Sequence, residues 1–292
     1  MTNLTPEQQK KKEKTEMVLN NIYNLPLIPK IIVEVTKILS TENVKNPDLV
    51  KVISKDQGLV TKILSIANSP LYGIPRKVTT IDFALLILGV NEIRNIVSAL
   101  SIIESFKNKT DKYLDQKEFW LHSFVVGSAA KRLTEDFGDK NSGEAFIAGL
   151  LHDVGISVIH RYFHTNFISI IEMVKDQGKS YYEAEMEVLG LTHEQIGYML
   201  LEKWNFPISL CDAVLHHHSP KESTNGTNLV AVVHLADYMT QKLGVGNFEW
   251  DKGLQVEKES AEMLGFKEEN ELDEFIVKYE ELFTQQSEYL RI

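Results

Sequence analysis

Apolar residues recur along this chain at i, i+3, i+4 spacing, and short polar clusters separate the runs. That pattern predicts a succession of amphipathic helices. Thr5-Pro6-Glu7 combines an N-cap, a proline at the first helical position and an acid in the first turn. Asn46-Pro47-Asp48 opens a second helix in the same manner. Asp56 caps a third, with rows Leu59/Ile63 and Val60/Leu64/Ala67. Thr80 precedes a fourth, with rows Phe83/Ile87 and Ala84/Leu88, and Gly89 is placed to stop it. Asn91 then caps a run bearing Ile93, Ile96, Val97, Leu100 and Ile103.

The polar stretch "NKTDKYLDQKE" (108–118) marks a boundary. After it the periodicity predicts helices over 118–134, 142–162 and 165–177, the last ended by Gly178. Ser180 with Glu183 and Thr192 with Gln195 fit capping boxes, and Gly190 stops the helix between them. Pro207 starts a short helix that runs into His216-His217-His218, and "SPKESTNGTN" reads as a loop. Leu229 to Lys242 returns to helix, and an acidic helical tail follows from Leu254. "KIIVEV" (30–35) is β-branched enough for a strand, but Ile38 and Leu39 continue it in a helical register. The expected fold class is all-α, an N-terminal helical bundle packed on a second helical bundle. The expected divisions are an extension over 1–24, a helical subdomain over 25–110, a second over 111–242, and a helical tail over 243–292.

Composition narrows the classes. A hydrophobic fraction of 43% and a charged fraction of 25% over 292 residues are globular values. The net charge of −10 disfavours a protein that grips nucleic-acid phosphates. The "KKKEK" run (10–14) then reads as a solvated helix face. The single cysteine, Cys211, builds no disulfide framework and no cysteine-based zinc site within one chain. The polar N-terminus is not expected to act as a secretory signal, and no run is expected to reach the length of a membrane span. The expectation is a cytoplasmic protein.

Histidine changes the picture. Nine are present, eight of them between His122 and His218. Singly, each has a plain reading. His122 suits a hydrogen-bonded core position, His160 and His164 a solvent-facing one, the triple His a loop tip, and Asp237 a buried cap. Together they place imidazoles and carboxylates on successive helices of a bundle, where ligands converge. His122, His152, His193, His217 and His218, with Asp153 and Asp237, form a set that suits zinc, iron, manganese or nickel better than calcium. His152 and Asp153 are adjacent in "GLLHDVGISVIH" (149–160). Consecutive helical positions point about 100° apart, so both reach one ion only at a helix end or distortion. Gly149 and Gly155 flank the pair and permit close backbone approach.

The order His122, then His152-Asp153, then Asp237 resembles the H…HD…D pattern of the HD superfamily of metal-dependent phosphohydrolases. His193 and His217-His218 match the extended ligand set of its two-metal members. "LPLIPKIIVEV" (25–35), "ISKDQGLVTKILSIANSPLYG" (53–73), "LGVNEIRNIV" (88–97) and "LGLTHEQIGYMLLEKWNFP" (189–207) resemble the narrower HDOD family. That resemblance spans residues 20–242. It implies an HD-type helical bundle and a bacterial signalling module that binds a protein partner or a small phosphorylated ligand. It also implies one or two transition-metal ions, iron first, with manganese and zinc acceptable to the same ligands. His122, His152, Asp153 and Asp237 would hold the first ion, and Asp153 would bridge to a second held by His193, His217 and His218. His234, one turn before Asp237, is the alternative ligand. Two departures bear on activity. Ile156 stands where HD hydrolases often carry lysine, and an apolar side chain cannot neutralise phosphate charge. "SPKESTNG" stands where cyclic di-GMP phosphodiesterases carry a GYP segment, which disfavours that reaction. The leading expectation is therefore a regulatory binder that retains a metal site, and the alternative is an active phosphohydrolase on a nucleotide or phosphate ester.

Overall fold

The computed structural model describes residues 4–21, 34, 35, 37, 38, 46–105, 110–246, 248–251 and 253–290. Among the described residues all regular structure is helical. Glu34, Val35, Lys37 and Ile38 are helical, so the strand alternative fails where it can be checked. The rest of the 25–35 segment lies outside the described residues.

The N-terminal part contains α1 (Pro6–Asn20), α2 (Asn46–Ile53), α3 (Gln57–Ala67) and a long apolar stretch, α4 (Ile81–Ser105). The predicted caps form. Thr5 closes a capping box with Gln8, and the Asp56 carboxylate accepts from Leu59 N–H at 2.9 Å. Gly89 adopts φ 81° and ψ 165°, so α4 is interrupted at the predicted stop.

The second part contains α5 (Gln116–Asp136), α6 (Ser142–Leu151), α7 (Val154–Tyr162), α8 (His164–Gln177), α9 (Tyr181–Val188), α10 (His193–Lys203), α11 (Ile208–His216) and α12 (Thr227–Lys242). Helix α5 packs along α6 and α12, α10 packs on α7 and α11, and α4 reaches this bundle through α6. The tail adds α13 (Lys258–Met263), α14 (Glu269–Val277) and α15 (Glu280–Leu290).

Two predictions need correction. The run over 142–162 is not one helix. It breaks at His152 and Asp153, where Ile156 N–H bonds to Asp153 O at 2.9 Å in a tighter turn. No glycine or proline sits at the break itself, and the apolar period continues on both sides, so pattern alone could not locate it. The same stretch, Ser142–Tyr162, is long and apolar enough by composition to cross a membrane, with mean hydropathy 1.3, although no such run was expected. Here 83% of that window is buried inside the protein, where it serves as core.

Close approach at the flanking glycines is as expected. A Cβ on Gly149 would lie 2.8 Å from Gly127 Cα, and one on Gly155 would lie 1.9 Å from His193 O. The first contact lets α6 lie against α5. The second sets α7 directly against the start of α10, beside His193.

Candidate metal centre

Five elements bring the predicted residues to one buried point. His122 comes from mid-α5, His152 and Asp153 from the α6–α7 break, His193 from the first position of α10, His217 and His218 from the end of α11, and Asp237 from α12. His122, His152, Asp153, His217 and Asp237 have no exposed surface, His193 is 4% exposed, and His218 is half-buried at the edge.

Asp153 is the hub. Its Oδ2 lies 3.3 Å from His152 Nε2 and 3.8 Å from His122 Nε2. Its Oδ1 lies 3.4 Å from His193 Nε2 and 3.5 Å from His217 Nε2. His122 Nε2 is also 3.6 Å from Asp237 Oδ1 and 3.3 Å from His152 Nε2. His218 joins Asp153, His193 and His217 in a set whose ligand atoms lie within 4.8 Å of one another.

The opposite edges of these rings are already committed. His122 Nδ1 donates to Gly246 O at 2.7 Å, His152 Nδ1 to Gly149 O at 2.7 Å, and His217 Nδ1 to Val214 O at 2.8 Å. A carbonyl only accepts, so each Nδ1 carries a hydrogen, and in its neutral form each ring turns an Nε2 lone pair inward. Asp153 therefore faces lone pairs with lone pairs. Both of its oxygens, and Nε2 of His193 and His217, are buried without a hydrogen-bond partner in the protein. Such an arrangement is costly unless a cation occupies its middle. The donors fit a divalent transition metal, and the carbonyls behind them fit the outer shell that orients metal-binding imidazoles.

Electrostatics agree. Burial opposes the charge on Asp153, but the imidazoles that surround it, His152 first, outweigh burial and hold its carboxyl well below the usual range. Burial pushes His217 down to about 3, so it stays a neutral donor. Burial also opposes charge on His193, yet the carboxylates of Glu194 and Glu185 outweigh it and raise that imidazole well above its usual value. Glu194 is itself lowered to about 2, because the neighbouring imidazoles, His193 first, outweigh its burial. The surroundings of His193 favour positive charge, whether proton or metal.

Sequence reasoning missed Glu185. Its carboxylate accepts from His193 N–H at 2.9 Å, lies 3.1 Å from His193 Nδ1, and accepts from Trp250 Nε1 at 2.8 Å. The readable signal was the stop at Gly190 (φ 70°), which ends α9 shortly before the Thr192 cap and leaves Glu185 within reach of the His193 N–H. Phe248, also missed, stacks on His122 with ring centroids 5.7 Å apart. His234 is excluded as the alternative ligand. Its Nδ1 donates to His217 O at 2.6 Å and its Nε2 accepts from Glu257 N–H at 3.1 Å. His160 is 5% exposed rather than solvent-facing, and His164 is the exposed member of that pair, its side chain 48% exposed. Ile156 is fully buried core.

A helical bundle with an H…HD…D constellation at its centre defines an HD-type protein. The sequence matches the HDOD domain over residues 25–220, and the chain belongs to that family. It is similar to an HDOD domain protein of unknown function from Geobacter sulfurreducens, at 25% identity and TM-score 0.76, covering 94% of this chain and 97% of that one. The fold is also that of a candidate phosphohydrolase from Shewanella amazonensis SB2B, at 23% identity and TM-score 0.70, covering 98% of each chain. An uncharacterised protein of Treponema pallidum (strain Nichols) is 23% identical over 222 residues, or 75% of this chain. This chain spans 43% of that relative's length.

Proposed function

We propose that this chain is a cytoplasmic regulatory protein of the HDOD family whose His/Asp centre holds one or two transition-metal ions. It acts by binding a protein partner or a small phosphorylated ligand. The observation that carries the metal part is the set of ring nitrogens turned inward on Asp153 by backbone carbonyls. His122, His152, Asp153 and Asp237 would hold a first ion, and His193, His217 and His218, which crowd the same Asp153 carboxylate, would hold a second. Iron is the first candidate, followed by manganese and zinc. When bound, such an ion supplies positive charge and Lewis acidity at the bottom of the site.

The residues favour a regulatory role over turnover. Ile156 is sealed in the core, so the position where an HD hydrolase presents lysine offers no charge to a phosphate. The alternative is hydrolysis of a nucleotide or other phosphate ester. It is favoured by His218, which is half-buried where the other predicted ligands are sealed in the core. A screen of nucleotides and phosphate esters, with the full chain loaded in turn with iron, manganese and zinc, separates the two. The expected result is saturable binding of a phosphorylated ligand or a protein partner, with no turnover above an Asp153→Ala control. Turnover that disappears in Asp153→Ala would overturn the regulatory reading and establish the alternative.

A further inference from the structure

Away from this centre the described residues bring a second set of metal-type donors together. Asp111 precedes α5, and its Oδ1 accepts backbone N–H groups from Tyr113 at 2.8 Å and Leu114 at 3.0 Å. This local turn fixes the carboxylate and leaves Oδ2 facing two imidazoles. His160 Nε2 lies 3.0 Å from Oδ2 and His164 Nε2 lies 3.5 Å from it. The donor atoms all lie within 4.8 Å of one another.

The backbone is shaped to produce this convergence. His160 lies in the last turn of α7 and His164 opens α8, and the bend at Phe163 (φ −128°, ψ 41°) turns both rings to one side. Their centroids are 5.1 Å apart and their planes 80° apart, so the two Nε2 atoms approach Oδ2 from different directions. His160 is wedged edge-on against Phe167 at 4.9 Å. Its Nδ1 is buried without a partner, so the polar interactions of that ring are at its Nε2 end. Burial opposes charge on Asp111, but the Tyr113 N–H and His160 outweigh it and keep the carboxyl below its usual value, hence ionised. One carboxylate oxygen can accept from two imidazoles, and the same convergence presents three donor atoms to a single cation. Tetrahedral zinc with bonds of about 2.0–2.1 Å sets its ligand atoms roughly 3.3 Å apart, and the distances here, 3.0 and 3.5 Å, bracket that spacing.

We propose that Asp111, His160 and His164 form a second site for a zinc-type divalent cation, with its fourth position open to solvent beside the exposed His164. The inference does not depend on the function proposed above. Helix α7 would then carry a metal site at each end, with Asp153 at its start and His160 in its last turn. A cation there ties the segment leading into α5 to the α7–α8 bend.

The test is a zinc titration of the chelator-stripped full chain, followed by calorimetry and by the His ring resonances in NMR. Wild type, His164→Ala, Asp111→Asn and Asp153→Asn are compared. His164 is exposed and Asn preserves the shape of Asp111, and circular dichroism verifies that each variant is folded. The expected result is one zinc-binding phase that perturbs the His164 ring in wild type and survives Asp153→Asn. His164→Ala and Asp111→Asn weaken that phase on the order of a hundredfold, no less than the loss of an outer-shell partner costs. Unchanged stoichiometry and affinity in both variants would overturn the proposal and leave Asp111 an ordinary ion-pair partner. A phase lost in Asp153→Asn alone would do the same by assigning all binding to the first centre.

Discussion

His234 and His217 are both fully buried histidines in the same bundle, yet only His217 turns a nitrogen toward Asp153. The difference lies in what each ring's second nitrogen meets, Glu257 N–H for His234 and the Asp153 carboxylate for His217. At this scale the sequence was a good guide to the residues that converge around Asp153 and a poor one to their supports. His122, His152, Asp153, His193, His217, His218 and Asp237 stood out because ionisable residues in apolar helices need a reason to be there. Glu185 and Trp250 are separated by 65 positions, and nothing in either local pattern announces the bond between them. His160 was assigned to solvent because its partner, Asp111, lies 49 positions away.

The buried imidazoles also set a pH dependence. Burial lowers His234 to about 4, while an unfolded histidine titrates near 6.5. Between those values the unfolded chain binds a proton that the folded chain refuses. His234 therefore leaves stability intact above about pH 6.5 and lowers it as pH falls toward 4. His193, whose pKa is raised, works in the opposite sense, so the term must be isolated by difference. Urea unfolding of the chelated protein at pH 7.5 and pH 5 makes the comparison. His234→Gln should shift the pH 5 minus pH 7.5 difference in stability toward greater stability at pH 5. The same pH response in both proteins would contradict the assignment.

Several helix ends were legible where a short polar side chain or glycine made them, although the start of α5, capped by Asp115, was read at 118. The capping boxes at Ser180 and Thr192 form, and Gly178 ends α8 in the left-handed conformation at φ 67°. The break that creates the site was not visible, because packing rather than local chemistry imposes it. What the sequence did say was that His152 and Asp153 could share one ion only at a distortion, and the α6–α7 break supplies it. Gly155 holds that break against α10. Its replacement by alanine drives a methyl group into His193 O, where the Cβ would lie at 1.9 Å. Overpacking of this kind costs about 1–3 kcal/mol, so Gly155→Ala should unfold at a clearly lower temperature in a thermal melt. A variant that melts with wild type would show that α7 does not rest on α10 as described.

Across the molecule, segments outside the 25–220 match complete the site and brace the bundle. Gly246 O fixes His122 and Trp250 holds Glu185. At the far end Gln286 accepts from Leu71 N–H at 3.0 Å and donates to Ser128 Oγ at 3.4 Å, joining the tail to the N-terminal helices and to α5. Helix α1 docks through Thr15, whose hydroxyl donates to Leu189 O at 2.8 Å. These contacts link residues far apart in sequence, which is why the all-α class was readable from periodicity while the bracing by the tail was not. They converge on one claim, that the centre around Asp153 is built for metal. Elemental analysis after reloading with iron, manganese or zinc and brief chelation tests it directly, with wild type beside Asp153→Asn. The prediction is about one or two retained ions per chain in wild type and at least one fewer in the folded variant. Equal metal in the two proteins, or none in either, would contradict it.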